Sequence, residues 1–235
     1  MTRGDLALYG GTDPREQPWY TYPEAARATD IPASTLRAWT VGQRYRRKHD
    51  RGFFAPVIAM PSNSDPRLSF TNLIEAHVLR ALRTVHEVQL GYIREAVEIA
   101  QDEFGIDRLL ISPDLRTSAG QLFLDRYTGL LELSKAKQLT MREVLDQYLT
   151  RIEFDETKLP VEFRPFSRMP GSASPDVISL SPFVSFGRPL IRRVGVSIPA
   201  IVQRLEAGEP VEEVREDYGL SREELREAVL YEAAA

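Results

Sequence analysis

TYPEAARATDIPASTLRAWT, residues 21–40, holds two short helical patterns hinged at Asp30-Ile31-Pro32. Whether the second pattern faces a nucleic acid decides what kind of molecule this is. Thr21 and Glu24 have capping-box spacing: the threonine oxygen accepts the N–H of the third helical residue, and the glutamate reaches back to the cap. A helix should therefore start near Tyr22. Its short side chains Ala25, Ala26 and Ala28 let a second helix approach closely. Asp30-Ile31-Pro32 stops the first helix and puts Pro32 in the first turn of the next. Leu36 and Trp39, three apart, would pack on Ala26 and Ile31. The opposite face then carries Ser34, Thr35, Arg37 and Thr40, short hydroxyls for phosphates and an arginine able to reach a guanine edge. An ordinary helical hairpin with a solvated polar face carries the same pattern, so the residues after the pair must discriminate.

Those residues, GQRYRRKHDRGFF (42–54), interleave Arg44, Arg46, Arg47, Lys48 and Arg51 with Tyr45, Phe53 and Phe54. FAPVIAM (54–60) and RLSF (67–70) flank a turn-rich PSNSDP. Two extended runs around such a loop predict a β-hairpin. A basic hairpin at this place would lie against phosphates and add a salt-dependent term to affinity. SFTNLIEAHVLRALRTV (69–85) then sets Leu73, Ile74, His77, Val78, Ala81, Leu82 and Val85 at helical spacing. His77 falls inside the apolar stripe with no second ligand candidate, so it is expected to be a core histidine. The order of helix, turn, STLRAW, basic wing and helix, from Trp19 to about Arg83, is similar to the MerR-type winged helix-turn-helix, whose recognition helix ends in "STLRxW". The resemblance implies DNA binding through Ser34, Thr35, Arg37, Thr40, Arg44, Arg46, Arg47, Lys48 and Arg51.

Composition narrows the alternatives. The 235 residues, 43% hydrophobic and 27% charged, suit a chain of about two compact globular units. Cysteine is absent, which excludes disulfides, thiolate metal sites and cysteine nucleophiles. The three histidines, His49, His77 and His86, lack zinc-protease spacing, and there is no GxxxxGK[ST] or GxGxxG loop. No cofactor or metal is expected, and a hydrolytic enzyme would need a constellation that is not there. No apolar run approaches the roughly 18 residues of a membrane span. The amino-terminal MTRGDLALYGGTDPREQPWY carries acids and prolines where a signal peptide needs apolar residues, so a cytoplasmic location is expected, with no membrane partner. Net charge is -4, unevenly spread. Leu36 to Arg51 has six basic residues and one acid, whereas Gly195 to Ala235 has four arginines and ten acids. Ends so different in charge suggest different partners.

Through the middle, GYIREAVEIAQDEF (91–104) reads as an amphipathic helix ending at Gly105. RLLIS, QLFLDRYTGLLEL and VEFRPF read as strands, with a hairpin across Tyr127 to Gly129, and TMREVLDQYLTRI (140–152) as a helix opened by a Thr140–Glu143 capping box. Asp125, Asp146, Glu153 and Asp155 are expected to be surface charges. MPGSASPD (169–176) is the linker candidate. Beyond it Ile198 to Leu205, Pro210 to Tyr218 and Ser221 to Tyr231 predict three short helices. Gly208 and Gly219 mark the breaks, Ser221–Glu224 forms a capping box, and Leu220 and Leu225 form a staple. Ile198, Val202, Leu205, Val211, Val214, Tyr218, Leu220, Leu225 and Val229 are the expected core. The last helix, SREELREAVLYEA, has four glutamates against two arginines, a composition that phosphates would repel and that suits a protein partner.

The fold expected is therefore mainly α with small β elements, an α+β chain. It comprises a winged helix-turn-helix at 1–104, an α+β connector at 105–170 and a three-helix module at 176–235. The tract from Val184 to Glu232, with "GRPLI", "IPAIVQRLEAGE" and "EDYGLSREELREAVLYE", resembles a short antitoxin domain. With the winged amino-terminal half, the whole chain resembles the long VapB-type antitoxins encoded beside PIN-domain ribonuclease toxins. Many members read "GxRxxV" where this chain has Arg192-Arg193-Val194-Gly195-Val196. The resemblance implies an antitoxin that neutralises a PIN-domain toxin and represses its own operon. A cationic side chain could enter the toxin's acidic, magnesium-binding site; Arg188, Arg192 and Arg193 are the candidates, with pairing to nearby glutamates as the competing role. Operator DNA and the cognate toxin are the expected partners. A homodimer is expected because one recognition helix reads only a few base pairs. The alternative is a stand-alone MerR-like regulator answering a small molecule.

Overall fold

The structure is a computed structural model that describes residues 11–46, 51–62, 64–85, 90–105, 108–111, 147–169 and 176–234. In chain order its main elements are α1 (Tyr22–Thr29), α2 (Ala33–Thr40), β1 (Gln43–Arg46), β2 (Arg51–Phe54), α3 (Phe70–Arg80) and α4 (Leu90–Phe104). After these come β3 (Ile152–Phe154), β4 (Pro160–Phe163), β5 (Ile178–Ser179), β6 (Leu190–Ile191) and β7 (Val196–Ser197). The chain ends in α5 (Ile198–Glu206), α6 (Val211–Asp217) and α7 (Arg222–Ala233). The mixture of helices with small antiparallel sheets matches the α+β expectation. Two compact units share the chain: Met1–Ala33, Pro61–Phe70 and Val161–Ala235 form one, and Ser34–Met60 with Thr71–Pro160 form the other.

In the first unit α1 starts as its sequence requires. The Thr21 N–H donates to Glu24 Oε2 at 2.8 Å and the Glu24 N–H to Thr21 Oγ1 at 3.4 Å, completing the capping box. Asp30 ends the helix in the left-handed region, φ 56°, ψ 42°, with its N–H on Ala26 O. Aspartate tolerates this conformation better than most residues. Tyr20 bridges Leu68 by paired backbone bonds of 2.9 and 2.7 Å. A three-stranded antiparallel sheet, β5-β6-β7, pairs Ile178 with Ile191 and Leu190 with Ser197, and Phe163 bridges Leu180 beside it. That sheet is absent from the expected three-helix module.

The three terminal helices fall where glycines and caps place them, and the Ser221–Glu224 capping box is present. Their core differs from the expected list. Ile198, Val214, Leu220 and Leu225 are buried as expected, together with Ile201, Ala228 and Tyr231. Val211 and Val229 are 56% and 42% exposed. The acidic last helix also hides part of its charge: Glu224 and Glu227 are buried, Glu227 accepting from Ser167 Oγ at 2.9 Å and the Arg168 N–H at 2.7 Å. Glu232 pairs with Arg27 at 3.0 Å.

In the second unit every residue from Thr71 to Leu79 is buried, so this part of α3 is a core helix on all sides rather than a striped surface helix. It continues as a π-helical turn over Ala81–Val85. His77 sits in that core with Nε2 3.1 Å from Tyr148 O and its ring tilted against the Tyr148 ring. Burial pulls its pKa down to about 3, so the ring is neutral. Leu109–Ile111 is a 3-10 turn instead of a strand, and Ile152 begins β3 instead of ending a helix. The strands and hairpin expected over 121–133, the Thr140–Glu143 cap and most of the 169–176 linker lie outside the described residues.

Candidate nucleic-acid interface

Helix α2 comes directly after Pro32 and sorts its residues by helical spacing. Leu36 and Trp39 are buried; Ser34, Arg37 and Val41 are exposed and Thr35 is half-buried. Thr40 departs from the expected face. It is buried, and its Oγ1 donates to Leu36 O at 2.9 Å, so it serves its own helix. Four residues on from Leu36, it falls on the packed side.

The hairpin after α2 is not the one expected at 54–60 and 67–70. The strands are β1 and β2, and Arg44, Arg46 and Arg51 of the basic cluster lie on them. Its register pairs Gln43 with Phe54, Arg44 with Phe53, Tyr45 with Gly52 and Arg46 with Arg51. Pro56 and Pro61 cannot donate to a ladder, which disfavours strand pairing further along. Arg44 and its cross-strand partner Phe53 are both exposed, Phe53 by 57%, and Phe54 by 47%. Arg47 and Lys48 lie outside the described residues, and Arg46 and Arg51 are placed here by backbone register alone.

Gly42 joins helix to wing. It adopts φ +85°, and a Cβ there would stand 2.5 Å from both Phe53 Cζ and Phe54 O. Only glycine allows this approach. The segment leaving the wing is fastened at several points. The Val57 and Ile58 N–H groups donate to Trp39 O, Arg94 donates to Ala55 O, and Asn72 Nδ2 donates to Ala59 O at 2.8 Å. Asn72 also donates to Glu75 Oε2 at 3.0 Å, and Arg108 stands 3.4 Å from the same oxygen. This buried polar cluster holds the wing's base. Its members are far apart in sequence and carry no motif; Gly42, directly after a predicted helix, is the one legible signal.

An exposed arginine on a short helix, a basic hairpin beside it and two outward phenylalanines make a surface able to meet phosphates, base edges and base faces.

The carboxy-terminal candidates separate. Arg192 pairs with Glu162 at 2.7 Å. Arg193 donates to both Glu224 oxygens, at 2.8 and 2.7 Å, and to Gly219 O at 2.6 Å. That guanidinium, then burial working the other way, leaves the Glu224 carboxyl at about 2. Both arginines thus have the internal role that competed with partner binding. Arg188 is exposed.

Residues 18–97 match the family model described as "Putative DNA-binding HTH domain". Residues 178–231 match "Protein of unknown function (DUF433)". Over 229 residues the chain is 28% identical to "Putative antitoxin VapB45" of Mycobacterium tuberculosis (strain ATCC 25618 / H37Rv), covering 90% of this chain and 92% of that protein. It is 24% identical over 243 residues to "Uncharacterized protein Rv2308" of the same strain, covering 97% and 94%. The crystal structure of Rv2018 from Mycobacterium tuberculosis is similar with a TM-score of 0.64 and 26% identity, covering 91% of this chain and 97% of that one. The resemblance to a long VapB-type antitoxin with a helix-turn-helix amino terminus is borne out along nearly the whole chain.

Proposed function

We propose that this chain is the antitoxin of a type II toxin–antitoxin pair, binding operator DNA through α2 and the β1-β2 wing and neutralising a PIN-domain ribonuclease through its carboxy-terminal unit. The observation that carries the reading is the placement of exposed Ser34 and Arg37 next to a basic hairpin, within a segment matching a DNA-binding family model. The full-length likeness to an antitoxin supports the second half. Arg37 contacts base edges; Arg44, Arg46, Arg47, Lys48 and Arg51 contact phosphates. Two copies read paired half-sites, because one short recognition helix spans too few base pairs for operator specificity.

The test has two arms. A mobility shift on the DNA upstream of the protein's own gene should give a salt-sensitive, sequence-preferring complex. Co-expression with the neighbouring reading frame should yield a stable complex and restore growth. Loss of the first arm overturns the operator reading, and loss of the second overturns the antitoxin reading.

A further inference from the structure

The first unit contains a cavity of about 290 Å³ lined by Trp19, Tyr20, Tyr231, Phe186, Arg188 and neighbours from α1 and the β5–β6 connection. That is the lower edge of the ~300–1,000 Å³ typical of small-ligand sites, room for one large side chain. Its rim is built at a cost. Ser185, Phe186 and Gly187 have φ of 50°, 55° and 75° in succession. Gly187 has a packing reason, because a Cβ there would stand 2.3 Å from the Tyr20 hydroxyl, which itself donates to Gly187 O at 2.8 Å. At Phe186 a bulky aromatic in the left-handed region costs about 1–3 kcal/mol, yet the residue is 67% exposed. The edge of Trp19, with ring centroids 6.3 Å apart, fixes its direction without burying it.

The charges at the cavity are unequal in their commitments. Arg27 is held by Glu232 at 3.0 Å. Glu24 Oε2 is turned to the Thr21 N–H and hydroxyl at 2.8 and 2.6 Å. Arg188 is exposed and makes no ion pair with any described residue.

We propose that this cavity is a socket for the protein partner, receiving one aromatic or long aliphatic side chain against Trp19 and Phe186 while a neighbouring carboxylate of the partner pairs with Arg188. The inference rests on the antitoxin reading and deepens it: the antitoxin offers the pocket and the toxin supplies the side chain. Strain at Phe186 is what a turn held ready for a partner would carry, and an exposed cation beside a hollow walled in part by Trp19, Phe186 and two prolines selects an apolar residue flanked by an acid.

The co-expressed complex tests it. Phe186→Ala and Arg188→Glu should each raise the dissociation constant about tenfold or more, while Arg226→Glu, an exposed control on α7, should leave it within about twofold. Trp19 fluorescence should change on complex formation in the wild type and not at matched concentrations of Arg188→Glu. Retained DNA binding by each variant checks that the chain is folded. A wild-type complex whose affinity none of the variants alters, or one weakened equally by Arg226→Glu, overturns the socket alone. Absence of any wild-type complex overturns the antitoxin reading and the socket together.

Discussion

The carbonyl oxygen of Trp39 accepts two backbone N–H groups, from Val57 at 2.8 Å and Ile58 at 3.0 Å. The last turn of α2 and the segment leaving the wing are thus fastened to one atom. On the proposed reading, Arg37, two residues earlier, and Phe53–Phe54, a few residues before Val57, would meet DNA as a preset surface.

Gly42→Ala should break that surface first. The new methyl meets the Phe54 carbonyl at 2.5 Å in a backbone region alanine avoids. We expect a stability loss of about 1–3 kcal/mol and a fall in operator affinity of roughly tenfold or more. Paired thermal unfolding and mobility shifts would measure both. An unchanged operator affinity would mean that the wing does not read DNA.

Arg37→Ala should lower the ratio of operator to random-DNA affinity by about 1–3 kcal/mol. Neutralising Arg46, Arg47 and Lys48 should instead weaken both alike and flatten the log–log salt slope by roughly 2 to 3. Thr40→Val should leave DNA binding unaltered, since that hydroxyl bonds Leu36 O. Filter binding across a salt series separates the three; equal slopes for wild type and the neutralised wing would exclude phosphate contact there.

His77 gives the fold a pH dependence. Its pKa is lowered to about 3 from 6.5 by burial, so between those values the unfolded chain binds a proton that the folded chain does not. Stability is therefore full above about pH 6.5 and falls with decreasing pH, by up to about 1.4 kcal/mol per pH unit from this residue. Urea unfolding at pH 5 and 7.5 should show this slope, reduced in His77→Gln. A variant with the wild-type slope would assign it to other groups.

Glu224→Gln should destabilise α7, because one side chain both closes the capping box and accepts the Arg193 guanidinium. Loss of a cap costs about 0.5–2 kcal/mol. The carboxyl's pKa is lowered to about 2, so this contribution holds above about pH 4.5 and fades as pH falls towards 2. Helix content measured by circular dichroism through an acid titration would test it, and a coincident profile in the variant would count against it.

Legibility tracks the range of the interactions. Thr21–Glu24 and Ser221–Glu224 set helix starts within four residues, and both are readable from sequence. The β5–β7 strands are two residues each, too short for any alternation to register. The wing is misplaced by residue pattern because the Pro/Ser/Asn loop imitates a hairpin turn, while charge obscures the strand character of QRYR and RGFF. The internal roles of Glu224 and Glu227 on α7 are not readable either, since they depend on Arg193, Ser167 and the Arg168 N–H, which are distant in sequence. The cavity at Phe186 depends on backbone angles that no residue pattern announces.

The path of the chain passes between the two units after Ala33, Met60, Phe70 and Pro160, and the first passage falls inside the helix-turn-helix. No single excision can therefore release the DNA-reading part as a cassette, and recombination that joins it to a foreign module would have to cut through it. Under the proposed function, operator and toxin specificities would be inherited as one block.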